Sequence, residues 1–309
     1  MLQDILLPQG VSEENFKEEL DMGRNKIGII GYGYVGKAMH KIFPDALIYD
    51  PTHWNEDESQ CTDLGRRMID ENNAILAKKA GINLGCKLAI VCVPTPMTES
   101  DQEFKEVDLS IINSTVDWLE TELILIKSTI PPHTTDKLVE RTGKKICFSP
   151  EYIGEGKYQI TPWKYMSPTD PNLHEFVIVG GEDQAAEDIL NIFTRRLGPE
   201  KTYLQMRSAE AEAIKYMENS WGAMKVIFAQ EWYEYCKANG LRWHMVREGW
   251  ALDNRVEKMH TSVFVDDRGF GGKCYPKDVN GIVADGDKIG SEFTLLKAAL
   301  RKNSKIRED

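Results

Sequence analysis

An α/β protein, a doubly wound parallel sheet followed by an all-helical region, is what the sequence predicts, and three observations carry that prediction. The first is "KIGIIGYGYVGKAMHKIFPDALIYD" (26–50): an apolar run, a glycine turn, a helical pattern and a second apolar run, together a βαβ unit. The second is that strand and helix patterns go on alternating to about residue 205. The third is a change of character from about 206, where "MRSAEAEAIKYMENSWGAMKVIFAQEWYEYCKANG" runs some 35 residues without proline.

Taken in order, residues 1–24 join a short apolar start to the acidic "SEENFKEELDMG" and read as a helical N-terminal arm. The first βαβ unit ends at Asp50. Residues 51–85 are polar and irregular, with one helix expected around 63–80. "CKLAIVCVPTPM" (86–97) is a strongly apolar strand stopped by two prolines. A helix over 108–119, the strand "LILIKST" (123–129), a helix after "PPHTT" (131–135) and the strands "KKICFSPEY" (144–152) and "EFVIVGG" (175–181) continue the alternation. Five or six strands with crossovers make a Rossmann-type sheet. The predicted organisation is an arm (1–24), a dinucleotide-binding domain (25–205) and a helical domain (206–309).

Composition narrows the function. Of 309 residues 41% are hydrophobic, enough for two globular units. The net charge is −11 and no basic run offers a footprint for a phosphate backbone, so nucleic acid is not an expected partner. No apolar stretch reaches the roughly 18 residues that cross a bilayer, and the acidic N-terminus lacks a signal-peptide layout; a cytoplasmic protein without a membrane partner is expected. Six cysteines, at 61, 86, 92, 147, 236 and 274, stand singly, with no metal-ligand spacing to histidine, so reduced thiols and no bound metal are expected.

Gly31, Gly33 and Gly36 form G-x-G-x-x-G between a strand and a helix. The first permits the tight turn, the second lets backbone approach a pyrophosphate, and the third lets helix and strand pack closely. Asp50 ends the next strand, where a carboxylate accepts both hydroxyls of an adenosine ribose and repels a 2′-phosphate, favouring NAD over NADP. On the long helix, Lys215 and Asn219 are four apart and share a face, a cation and an amide able to hold an oxyanion. "GFGGKCYPKD" (269–278), read alone, is a glycine-rich turn around a buried thiol, Cys274.

These segments occur in one order that resembles the UDP-glucose/GDP-mannose 6-dehydrogenases: "GYGYVG" (31–36), "CVPTP" (92–96), "IKSTIPPHTT" (126–135), "FSPEYIGEG" (148–156), "EAIKYMENSWGAMKVIFAQE" (212–231) and "GFGGKCYPKD". The resemblance covers about 30 to 280 and is closest to the UDP-glucose enzymes. It implies an NAD-binding domain, a central helical domain that also forms a homodimer through the long helix, and a four-electron oxidation of a nucleotide-sugar C6 alcohol to the uronate. It assigns Cys274 as the nucleophile forming a thiohemiacetal and then a thioester, Lys215 and Asn219 as oxyanion partners, and Glu151 as the acid–base carboxylate. Asp278 and Thr129 would order the hydrolytic water and position Lys215. Tyr34 and Val35 in the turn, Pro94 and Thr95 after the third strand, and Thr129 are further cofactor contacts implied by the resemblance, not by the spacing itself. Tyr152, Phe270, Gly271, Gly272 and Lys277 join Glu151, Lys215 and Asn219 as substrate contacts. Family members continue into a third, nucleotide-gripping domain, and "FTLLKAALRKNSKIRED" resembles the helix leading into it, so a member lacking that domain is expected. His133 stands where the family usually has glycine. Two other readings stay open: a β-hydroxyacid dehydrogenase, which has no use for a thiol nucleophile, and a catalytically silent NAD-binding or assembly subunit.

Overall fold

The computed structural model describes residues 26–51, 79, 81–83, 85–153 and 170–308. The arm at 1–24, nearly all of the helix expected at 63–80 and the loop at 157–169 lie outside them. The described residues fall into two compact units: the chain up to Thr95 with Leu109–Glu212, and Pro96–Asp108 with Ala213–Asp309.

The first unit is a sheet of seven described strands in the order β2-β1-β3-β4-β5-β6-β7. They are β1 (Lys26–Ile30), β2 (Leu47–Tyr49), β3 (Cys86–Val91), β4 (Leu123–Ile126), β5 (Ile146–Phe148), β6 (Phe176–Gly180) and β7 (Thr202–Met206). Its helices are α1 (Tyr34–Ile42), α2 (Ser110–Trp118), α3 (Thr134–Thr142) and α4 (Asp183–Leu197). Apolar side chains alternate across the sheet. Leu88, Ile90, Leu123 and Leu125 pack on Met39 and Ile42 of α1 and on Ala185, Ile189 and Phe193 of α4. Ala89, Val91, Ile124 and Ile126 point the other way, into Ile112 and Val116 of α2 and Leu138 of α3. Both faces are therefore buried, which is why "LILI" reads as an unbroken apolar run. Each of the larger side chains contributes on the order of 2 kcal/mol.

Two features depart from the expected sheet. β6 pairs antiparallel with β5 through Phe148 and Gly180, whereas the other neighbours run parallel. Apolar runs mark strands without marking their direction. β7 carries "TYLQM", an edge strand with no fully buried side chain, so it lacked the apolar signature by which the others were read.

The second unit is helical. The expected 35-residue helix is α5 (Ser208–Ala238), 31 residues long, whose first turns belong to the first unit. It ends where "KANG" supplies a left-handed Gly240 (φ 65°): Leu241 N–H bonds the Cys236 carbonyl at 2.8 Å and Gly240 N–H that of Lys237, a Schellman stop. Then come α6 (Trp243–Trp250), α7 (Tyr275–Lys288) and α8 (Thr294–Glu308). Ala223 and Ile227 of α5, Val279 and Val283 of α7, and Leu296, Leu300 and Ile306 of α8 enclose Phe270 in one core. The segment 96–108, which the sequence division at 205 left with the sheet, joins this unit. Met97 pairs with Val107, and Glu103 and Glu106 bind Arg301 of α8 and Lys288 of α7.

His133 occupies the N-cap of α3 with φ 67°, left-handed backbone that glycine adopts freely, which accounts for the family's preference there. The His133 side chain makes no capping bond to α3. The cap comes from Glu212 of α5, whose Oε1 accepts the Thr135 N–H at 2.8 Å and its hydroxyl at 2.6 Å. Glu212 is fully buried, and its Oε2 has no hydrogen-bond partner among the described residues. Burial pushes this carboxyl up from its ordinary 4.5 to about 7, against the opposing pull of the Thr135 bonds. Between those two values the folded chain holds a proton that the unfolded chain has released. The contribution of Glu212 to stability should therefore be greatest below pH 4.5, fall as pH rises to about 7, and level off above it, by on the order of 3 kcal/mol. Urea melts of the native protein and Glu212→Gln across pH 4.5–8 check this: the variant should lose that downward slope.

Candidate functional site

In the first unit the site builds from the switch in strand order. The chain passes from β1 to β2 on one side and to β3 on the other, so a crevice opens at the carboxyl ends of β1 and β3. The glycine turn sits there. Gly31 has φ 90°, and a Cβ on it would lie 2.7 Å from the Cys92 carbonyl oxygen. A Cβ on Gly36 would lie 2.0 Å from the Gly31 oxygen, so helix and turn touch backbone to backbone. Gly33 differs: nothing lies within 4 Å of its Cβ position. Tyr34 is exposed and Val35 half-buried at the start of α1, whose N-terminus carries no side-chain cap. Asp50 is turned toward the motif, its Oδ2 accepting the Tyr32 N–H at 2.5 Å.

The neighbouring strand ends are tied together. Thr95 hydroxyl donates to the Thr129 carbonyl at 2.9 Å, and Ser128 hydroxyl to that of Val93 at 2.6 Å. Pro94 is exposed beside them and Thr129 half-buried. After β5, Glu151 is buried and accepts the Ile153 N–H, while the Tyr152 ring packs edge-on against Phe176 at 5.0 Å. Lys127, which sequence reasoning passed over, is buried and donates to Ser149 Oγ at 3.1 Å and the Pro150 carbonyl at 2.9 Å, bracing the turn into Glu151. Its signal was a lysine closing an otherwise apolar strand.

In the second unit, two i, i+4 pairs meet. Lys215 and Asn219 share a face of α5, with Lys215 Nζ 3.5 Å from Asn219 Oδ1. Cys274 is the N-cap of α7, and Asp278 lies one turn on, its N–H bonded to the Cys274 carbonyl. Asn219 Nδ2 donates to Asp278 Oδ2 at 2.5 Å, and Lys277 Nζ contacts Asp278 Oδ1 at 2.5 Å. Lys215, Asn219 and Asp278 are all buried; Cys274 is half-buried. Phe270 points its ring into the core, so the loop around it offers backbone rather than an aromatic face. Gly272 has φ 75° and nothing within 4 Å of its Cβ position, whereas Gly271 is covered by the Arg307 guanidinium.

The first unit is thus a dinucleotide-binding domain of the Rossmann type, and it is joined to a helical unit holding a Lys–Asn–Asp chain beside a cysteine. Its residues fit the cofactor: uncapped N–H groups at a helix start, an open Gly33 against which a pyrophosphate can lie, and a carboxylate at the end of β2 beside the turn.

Comparison with known proteins agrees. Residues 71–194 match the NAD-binding domain, and residues 209–305 the central domain, of the UDP-glucose/GDP-mannose dehydrogenase family. The chain is 27% identical to a UDP-glucose 6-dehydrogenase, AglM, of Haloferax volcanii over 90% of its own length and 69% of that protein. It is 26% identical to a UDP-N-acetyl-D-mannosamine dehydrogenase of Methanococcus maripaludis, over 82% of its length and 60% of that protein. In fold it resembles a UDP-glucose dehydrogenase of Pyrobaculum islandicum, with TM-score 0.70, 23% identity, and coverage of 97% of this chain and 70% of that one. The chain spans roughly two thirds of these relatives. It belongs to the UDP-glucose/GDP-mannose dehydrogenase family, whose members are NAD-dependent oxidoreductases.

The two glycines separate binding from folding. Gly33→Ala should melt within about 2 °C of the native protein yet bind NAD at least about tenfold more weakly, as titration calorimetry would report. Gly36→Ala should lose both stability and binding.

Proposed function

We propose that the chain catalyses the NAD-dependent oxidation of a nucleotide-sugar C6 alcohol to the uronate, UDP-glucose being the favoured substrate. The observation that carries this reading is the Asn219–Asp278 bond, which ties the Lys215–Asn219 pair of α5 to the α7 start that bears Cys274. NAD, when bound, accepts a hydride, and two molecules used in turn take up the four electrons. The balance is alcohol, two NAD⁺ and water to carboxylate, two NADH and three protons.

The chain's residues take the remaining roles. Lys215 and Asn219 donate to the C6 oxygen as its negative charge develops. The Cys274 sulfur adds to the C6 aldehyde carbon, giving a thiohemiacetal whose loss of hydride leaves a thioester. Water then attacks that carbonyl, the C–S bond breaks and the thiol is restored. In the first unit, Glu151 takes the acid–base role and Thr129 helps order the water. Gly271, Gly272, Tyr152 and Lys277 contribute substrate contacts, and Phe270 does so through its main chain.

The partner we propose is a second copy of the chain. Trp221, Phe228, Trp232 and Tyr235 fall at i, i+7, i+11 and i+14 of α5, one face of the helix, and all four are exposed. Trp232 packs against Phe228 and Tyr235, and Phe228 also against Trp250, so the rings form a continuous apolar surface of a kind that marks association.

The purified protein given UDP-glucose, UDP-N-acetylmannosamine or GDP-mannose should form two NADH per sugar with one of them. One NADH per sugar would point to a two-electron alcohol dehydrogenase, and none across the panel to a silent subunit. Cys274→Ser should lower uronate formation by about 10³-fold or more, and unimpaired acid production would remove the thioester from the scheme. Trp232→Lys should convert a dimer to a monomer in light scattering; a native protein that is already monomeric would refute the α5 interface.

A further inference from the structure

Asn303 of α8 makes a contact that the reaction scheme does not use. Its carboxamide meets the Phe270 main chain twice: Oδ1 accepts the Phe270 N–H at 2.7 Å, and Nδ2 donates to the Phe270 carbonyl at 2.9 Å. A residue in an antiparallel ladder exchanges the same two bonds with its neighbour, so Asn303 serves Phe270 as a partner strand would. Among side chains of this length only asparagine carries an acceptor and a donor so placed. Both bonds are buried, as is Asn303 itself.

The loop is shaped to receive this clamp. Gly269 has φ 75°, and a Cβ there would lie 2.5 Å from Asn303 Oδ1. One turn further along α8, Arg307 covers Gly271 and donates from Nη1 to the Arg268 carbonyl at 3.0 Å. The Phe270 ring is fixed in the core beside Ile306 and Leu300 of the same helix. From Arg268 to Gly271 the chain is thus held by α8, and only Gly272 and Lys273 separate that held stretch from Cys274.

We propose that Asn303 is a positioning residue: by clamping Phe270 on both sides it sets where the backbone of Phe270–Gly272 lies with respect to the Cys274 sulfur. The proposal rests on the reading of Cys274 as nucleophile and names a residue through which that loop is kept in register.

The test uses the full chain and two variants. Asn303→Ala removes both bonds; Asn303→Asp keeps an acceptor for the Phe270 N–H and loses the donor to its carbonyl. Three quantities are read beside the melting temperature: exchange of the Phe270 amide proton, the rate of Cys274 alkylation by iodoacetamide, and kcat and KM with the active nucleotide sugar. In Asn303→Ala the amide should exchange at least about tenfold faster, the alkylation rate should change several-fold, and KM should rise more than kcat falls. In Asn303→Asp the amide should stay protected, while alkylation and KM still shift. If Asn303→Ala does not fold, Asn303→Asp decides. A variant that melts lower but keeps native alkylation and native KM would show Asn303 to be merely structural and overturn the proposal. If the native protein forms no NADH with any nucleotide sugar, the proposed function fails, while exchange and alkylation still decide the clamp.

Discussion

The buried carboxylate of Asp278 is the constraint on which the second unit depends. At 1% exposure it must be hydrogen-bonded on every side that water does not reach, and its partners come from two helices. Asn219 reaches it from α5 and Lys277 from its own first turn. An uncompensated carboxylate in this place would cost more than most single contacts in the core return, so the pairing holds α5 and α7 in one register. Cys274 is four residues before Asp278 and Lys215 four before Asn219, so whatever fixes the Asn–Asp bond fixes the thiol and the ammonium as well. Under the proposed function, chemistry and packing here are set by the same few atoms.

The sheet unit solves a similar problem with backbone. Its crevice exists because strand order reverses between β1 and β3, and glycines let main chain approach main chain at distances no side chain allows. Further along, α3 starts at a left-handed His133 with no cap of its own, and the missing acceptor is supplied from 77 residues away by Glu212. That solution satisfies the helix start but strands one carboxylate oxygen, which is why the acid holds its proton toward neutral pH.

Much of this was legible in the sequence, because the relevant signals are local. The glycine turn with its flanking strand and acid and the Lys215–Asn219 spacing each declare themselves within a few residues. The rest depends on contacts between distant segments. β7 has no apolar alternation and finds its place only by pairing with β6. The segment 96–108 follows an apolar strand yet belongs with helices, since Val107 fills the space opposite Gly281 and its acids meet cations on α7 and α8. The Phe270 ring belongs to a core that no local pattern announces. Lys127, Glu212 and Asn303 were missed for the same reason: each acts on a backbone group more than 20 residues away.

The thiols differ in placement, and under the proposed function that difference decides which of them can serve as nucleophile. Cys147 is fully buried in the sheet core, and burial, with Glu182 adding to it, pushes its thiol up to about 12. Cys92 reaches about 12 as well: desolvation outweighs the favourable charge of Lys127, and Glu151 works in the same direction as desolvation. A thiol held that far above neutrality is almost wholly protonated and does not attack carbon. Cys274 lies outside the sheet, half-buried at the N-cap position of α7, and the turn before it exposes backbone at Gly272. Behind that turn the Phe270 ring sits in the helical core, and Asn303 bonds the Phe270 main chain through both its N–H and its carbonyl.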